Sequence, residues 1–287
     1  MHLHRYRCTG CAAWSGTFAA PLGNISDLSK PNGADLEASP NEGSMQLAGI
    51  DLAWRSNKNP SALAIGSLKG CELGLTAIAT DLFGIDPIVT YLNSLPDLFG
   101  IAVDGPLLIT NATGQRQCET LIGQEYSSRQ ASCHTSNLTL FPEPDSVQLS
   151  QLLTSMGFQH LGTTTGRWQI ECYPHPALIE IFNLKERHLY KKSPVSAKRR
   201  GQCELAEFIL SLADSPVLRL TVPDVLSQSL RHSHIENLRG ASLKQNEDIL
   251  DAMVCLYIAG LYAIGTSDKV FGDAVDGYIY VPRVKCI

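Results

Sequence analysis

The run AMVCLYIAGLYAIG, Ala252 to Gly265, carries no charge and no proline. Together with NEDILD before it, it reads as one long apolar helix. A helix apolar on every side must lie inside a fold. It is shorter than the ~20 apolar residues of a membrane span. Yet three carboxylates, Glu247, Asp248 and Asp251, stand at its mouth. Acids are almost never buried without a partner. Two readings compete. Asn246 is a good N-cap, and acids in a first helical turn favour the helix dipole by about 0.3–1 kcal/mol. Glu247 suits that reading. Alternatively the acids are half of a cation site. Asp251, one turn deeper among Leu250, Ala252 and Met253, suits that one. Asp248 and Asp251 are three apart and Glu247 and Asp251 four apart, so either pair can share a face.

The other half of such a site is visible upstream. Three apolar strands each carry an acid near the C-terminal end: Asp51 in GIDLAW, Asp104 in IAVDGPL and Glu171 in QIECYP. Asp is disfavoured in strands, and in open α/β sheets that edge is where sites form. Converging carboxylates raise one another's pKa unless a cation neutralises them. An all-oxygen set suits Mg²⁺ or Mn²⁺ better than zinc. Two such ions ~4 Å apart can activate a water and stabilise the leaving oxygen of a phosphodiester. Plainer readings stand beside this one. Asp104 precedes Gly105-Pro106 and could serve a turn, and Glu171 could pair with Arg116 or Arg167.

The strands and helices fall in a definite order. LAGIDLAW (47–54), SALAIGSL (61–68) and GLTAIAT (74–80) predict three strands in hairpin order. A helix over 85–95, a strand over 100–108 and helices over 114–126 and 146–158 follow. WQIECYPHPALIEIF (168–182) reads as a strand breaking into a helix at Pro174. Helices over 203–213 and 223–230, the long helix from 246, and a last strand GYIYVP (277–282) complete the chain. This is an α/β arrangement, a mixed sheet covered by helices, in one domain over 45–287. Residues 1–44, rich in Ser, Pro, Gly and Asn, predict a disordered extension or a misassigned upstream reading, with Met45 as the functional start. Nine scattered cysteines show no disulfide framework, which points to a reducing, cytoplasmic compartment. Cys8 and Cys11 have ligand spacing, but no second pair follows.

The ordered set GIDLAW, IAVDGPL with GQRQCE, IECYPHPA, DILDAMVCLYIAGL and GDAVDGYIYVP resembles domain-of-unknown-function family 429, described as predicted RNase H-like nucleases. Asp248-Ile-Leu-Asp251-Ala252 is also similar to the last catalytic helix of RuvC-type resolvases. The resemblance implies an RNase H-like sheet, three antiparallel strands and then parallel ones. It places Asp51 at the first-strand catalytic position, Asp104 at the fourth-strand position, and Asp248 and Asp251 in the final helix. It also implies Glu171 as an additional site acid, and Arg116 and His175 as residues that could contact a phosphate.

The segment LKERHLYKKSPVSAKRRG (184–201) sets Lys185, Arg187, Lys191, Lys192, Lys198, Arg199 and Arg200 against Glu186. Such a run, with His188 and Tyr190 interleaved, could track a phosphate backbone and stack a base. A solvated linker is the alternative. The net charge is −5, so the chain outside this basic segment is strongly acidic, which argues against a large duplex footprint. The resulting expectation is a metal-dependent nuclease that hydrolyses DNA or RNA phosphodiesters. Asp51, Asp104, Asp248 and Asp251 would hold one or two Mg²⁺ or Mn²⁺ ions, with Glu171 as a further ligand or base. The alternative is a non-catalytic nucleic-acid or nucleotide-binding protein on the same fold. A Gly-rich phosphate loop is missing from the sequence, which weighs against nucleotide phosphoryl chemistry. Oligomeric state is not legible, since no helix shows an interface stripe.

Overall fold

A computed structural model describes residues 43–55, 58–191 and 194–287. The expectations for residues 1–42, including the Cys8 and Cys11 pair, lie outside the described residues, as does Lys192. In chain order, β1 (Met45–Asp51), β2 (Pro60–Lys69) and β3 (Glu72–Phe83) form an antiparallel meander. Helix α1 (Asp86–Asn93) crosses to β4 (Leu98–Asp104), which pairs parallel with β1. Helices α2 (Gln117–Tyr126) and α3 (Asp145–Ser155) lead to a short β5 (Gln159–His160) and to β6 (Trp168–Cys172), parallel to β4. Next come α4 (Pro174–Ile181), α5 (Val195–Ser211), β7 (Arg219–Thr221), α6 (His232–Ile235) and α7 (Gly240–Ala263). The hairpin of β8 (Asp268–Asp273) and β9 (Gly277–Pro282) ends the fold. The strands make one mixed sheet in the order β7-β3-β2-β1-β4-β6-β9-β8, with β5 beside β6. The α/β arrangement and the meander read from the sequence are present.

Alternation along the central strands separates two cores. Leu47, Ala62, Ala64, Ala102 and Ile170 face α7, α4 and α5, while Ala48, Ile50, Leu63, Ile65 and Val103 face α1 and α3. Helix α7 is buried along most of its length because its neighbours surround it. Among the described residues, no helix is long and apolar enough to cross a membrane.

Two boundaries differ from the sequence reading in ways that matter. Helix α7 starts at Gly240, capped through Arg239 and Ser242, not at Asn246. Asn246 is buried and its Nδ2 donates to Gln202 Oε1 at 3.0 Å. Glu247 and Asp248 therefore lie beyond the first turn, where the dipole no longer rewards an acid, and the capping account of Glu247 is withdrawn. Helix α5 begins at Val195, so Lys198, Arg199 and Arg200 belong to its first turns and not to a linker.

Candidate active site

The acids meet because β1 has no side chain where α7 crosses it. A Cβ on Gly49 would stand 2.0 Å from the Leu256 nitrogen and 2.4 Å from the Ala252 carbonyl oxygen. Only glycine allows that approach. Two residues further along the strand is about 6.7 Å, close to the 5.4 Å of one helical turn back. That step carries Asp51 to Asp248. Asp51 and Asp104 are direct neighbours in the parallel register of β1 and β4. Asp251 is fully buried and Asp248 nearly so, whereas Asp51 and Asp104 are half-buried at the floor of a cleft.

Burial pushes Asp51 well up from the ordinary carboxylate value, and Asp251, Asp104 and Asp248 push further, while Lys191 pulls back. Burial pushes Asp248 up from the ordinary carboxylate value, Lys244 pulls it back, and the adjacent Asp51 carboxyl also lowers it. Burial pushes Asp104 from 3.8 up to about 7, with Lys191 opposing and Asp251 and Glu171 adding. Two lysines answer this charge. Lys191 Nζ lies 2.7 Å from Asp251 Oδ2, and Tyr190 Oη donates to Asp251 Oδ1 at 2.5 Å. Lys244 Nζ donates to Glu247 Oε1 at 3.0 Å and also to Asp248. Burial acts to lower Lys191, but Asp251, Tyr190, Asp104 and Asp51 together hold it well above its usual value.

A stability test follows. Between the unfolded carboxylate value near 4 and about 7, folded Asp104 keeps a proton that the unfolded chain releases. Raising the pH through that window weakens the fold. Unfolding free energies from urea titrations of the wild type should fall relative to Asp104→Asn from pH 4.5 to 7.5, by on the order of 1–3 kcal/mol. Parallel profiles would mean that Asp104 ionises freely.

Glu171 faces the other way. Val103, not Asp104, is its register neighbour on β4. Arg116 Nη2 and Nη1 reach its Oε1 and Oε2 at 2.6 and 2.9 Å, and the Leu107 amide donates to Oε2 at 2.9 Å. Arg116 Nε also reaches Glu119 Oε1 at 2.9 Å. Burial raises Glu171, Arg116 and the Leu107 amide oppose it, and Glu119 adds to the rise. Of the alternatives open in the sequence, pairing with Arg116 is the one formed. Arg167 instead donates to the Pro96 carbonyl at 3.0 Å. Arg116 is buried in this pairing, where a phosphate contact was expected.

The basic run is divided. Lys191 points into the acids. Arg199 Nε donates to the Leu238 carbonyl at 2.7 Å, Arg200 is exposed, and Lys198 is half-buried on α5. Tyr190 is buried, flanked by the rings of His188 and His175 at 5.7 and 5.6 Å. His175 lines the cleft beside Tyr173. The cleft measures about 400 Å³, with Asp51 and Asp104 below and Arg55, Arg187, Lys191 and Lys244 around it. Lys244 and Arg55 were not singled out in the sequence. Lys244 stands four residues before Asp248, the spacing of a helical ion pair, and was missed because the helix was started too late. Among the described residues, no set of three or more His, Cys, Asp or Glu stands in an arrangement that could hold a metal ion.

The family described as Protein of unknown function (DUF429) matches residues 49–276. The chain belongs to this family. The DUF429 match runs from the end of β1, with Asp51, through the turn of the last hairpin, so all six strand and helix acids lie within it. No curated protein and no solved structure matches the chain.

Proposed function

We propose that the protein is a metal-dependent phosphodiesterase of RNase H-like architecture that acts on nucleic acid. One observation carries the reading. Asp51 and Asp104 stand side by side at the ends of β1 and β4, and α7 brings Asp248 and Asp251 against them. The meander followed by parallel β4 and β6 supports the architecture. Cys118, Cys172, Cys203, Cys255 and Cys286 are buried thiols outside any disulfide, which supports a reducing compartment such as the cytoplasm.

The donor set suits Mg²⁺ or Mn²⁺ by chemistry, because each candidate ligand is a carboxylate oxygen. Its arrangement is presently tied up by two ammonium groups, so ligation requires those contacts to open. A divalent ion held by Asp51, Asp104, Asp248 and Asp251 would supply Lewis acidity toward water and toward a leaving oxygen. The chain's own part is binding and orientation. Arg55, Arg187 and Lys244 give the cleft a cationic wall suited to a phosphate, and Tyr190 fixes the Asp251 carboxylate. Glu171 and Arg116 brace the end of β6 below.

A second reading rests on the same two lysines. If Lys191 and Lys244 neutralise the acids permanently, the cleft binds nucleotides or nucleic acid without cutting them. The discriminating experiment is calorimetric titration of the wild type with Mn²⁺, beside cleavage of a labelled single-stranded oligonucleotide with Mn²⁺ or with chelator. Saturable binding and chelator-sensitive cleavage are expected. Oligonucleotide binding without Mn²⁺ uptake at millimolar metal would leave the non-catalytic reading.

A further inference from the structure

The two buried acid systems of this molecule are neutralised in different ways. Glu171 is held by a buried arginine through two parallel hydrogen bonds, with a backbone amide as a third. Such a planar, bidentate pair has no free oxygen and little reason to open. Asp251 is held by a hydroxyl on one oxygen and a lysine on the other. Asp251 is completely buried, while about a quarter of the Lys191 side chain reaches solvent. A lysine ammonium is a compact charge on a flexible stem, and here it has water to move into.

The segment that presents Lys191 is seated firmly. A Cβ on Gly201 of α5 would lie 2.1 Å from the Leu189 carbonyl oxygen and 2.9 Å from the Tyr190 Cα. The chain therefore crosses α5 in close contact. His188 Nε2 meets the Gly201 carbonyl at 2.7 Å, and its ring stacks on Tyr190 with 18° between planes. These contacts fix the backbone at Tyr190 and leave the lysine stem as the movable part. Lys244 differs: its side chain is more than half exposed, so it opposes a competitor weakly.

We propose that Lys191 is a built-in counter-cation that competes with the divalent ion for Asp251, so that metal binding displaces its ammonium into the cleft. The inference rests on the metal-site reading above. Asp251 Oδ2 is buried without a hydrogen bond and has the Lys191 ammonium 2.7 Å away as its counter-charge, in the place a cation ligand would take. With Lys191 withdrawn, Oδ2 would be left without a counter-charge beside Asp51 and Asp104, which Lys191 also offsets, and Tyr190 would still hold Oδ1. The arrangement keeps four crowded acids compatible with folding before metal arrives.

The test uses the full chain and Mn²⁺ alone as probe. Mn²⁺ affinity is measured by calorimetry for the wild type, Lys191→Met and Asp251→Asn. In parallel, wild-type lysines are labelled with acetic anhydride with and without saturating Mn²⁺, and Lys191 is separated from Lys192 by peptide fragmentation. Lys191→Met should bind about tenfold tighter or better, Asp251→Asn should bind far more weakly, and labelling of Lys191 should rise several-fold with metal. Wild-type binding with an unchanged or weaker Lys191→Met would overturn the competition and leave the metal site standing. No binding by any of the three proteins would overturn both. Should Lys191→Met fail to fold, the labelling decides: a Lys191 equally protected with and without bound Mn²⁺ sinks the proposal.

Discussion

Gly49→Ala loses at least about 3 kcal/mol of stability, at the upper end of what overpacking costs. The new methyl carbon would meet backbone on both sides, the Leu256 nitrogen at 2.0 Å and the Ala252 carbonyl oxygen at 2.4 Å. A flexible side chain could swing away from such a contact, but two backbone groups of one central helix cannot. Helix α7 would have to retreat from β1 and release its packing on Leu47, Ala64 and Ala102. The retreat also draws Asp248 from Asp51, so any folded fraction should bind Mn²⁺ more weakly. The control is Gly123→Ala on α2, where a Cβ meets nothing within 4 Å. That change should leave stability equal or raise it by up to about 1 kcal/mol. Urea midpoints of the two variants measure both. A Gly49→Ala protein as stable as the wild type would show that α7 can sit further from the sheet without loss.

The central part of this fold was legible because its segments are strongly patterned. The three meander strands, α1, β4, the break at Pro174 and β9 each fall within a few residues of their place in the sequence. What was missed is short, polar or half-exposed. Strand β8, DKVFGD, lies at the sheet edge with a glycine inside it and buries only Phe271 well. Strand β7 has three residues. The first turns of α7 and α5, GASLKQ and VSAKRR, have almost no apolar stripe, so nothing local marks them as helical. Tertiary contacts make them so. Leu243 is buried, and Gln202 donates to its carbonyl at 3.1 Å.

The site was legible in its acids and not in its cations. An aspartate in an apolar strand conflicts with local propensity, and such conflicts gather at functional sites. No comparable signal marks the lysine that will meet it. Lys191 sits in a run of seven basic residues that all look alike in the sequence. Only the crossing at Gly201 selects it and Tyr190 to face Asp251. Glu171 carried the same strand signal as Asp51 and Asp104. It differs by one residue of register, and in a strand one residue reverses the face.

That reversal yields a second large effect, a contrast between two conservative substitutions. Asp51→Asn should reduce Mn²⁺-dependent cleavage by at least about a thousandfold, roughly 4 kcal/mol of transition-state stabilisation. It should leave the metal-free protein as stable as the wild type at neutral pH or more so, because it removes a carboxylate that burial and three neighbouring acids oppose. Glu171→Gln should do the reverse. The amide keeps one acceptor oxygen, so Arg116 loses the charge and one of its two hydrogen bonds there and faces an NH2 in place of the second oxygen, with Glu119 and the Leu108 carbonyl unchanged. Breaking one side of a buried pair costs about 3–5 kcal/mol, so Glu171→Gln should fall sharply in urea midpoint while its folded fraction still cuts. Cleavage rates per folded molecule, with midpoints from the same preparations, separate the two. A stable Glu171→Gln protein without activity would return Glu171 to the site acids, and an active Asp51→Asn protein would remove the strand acid from the chemistry altogether.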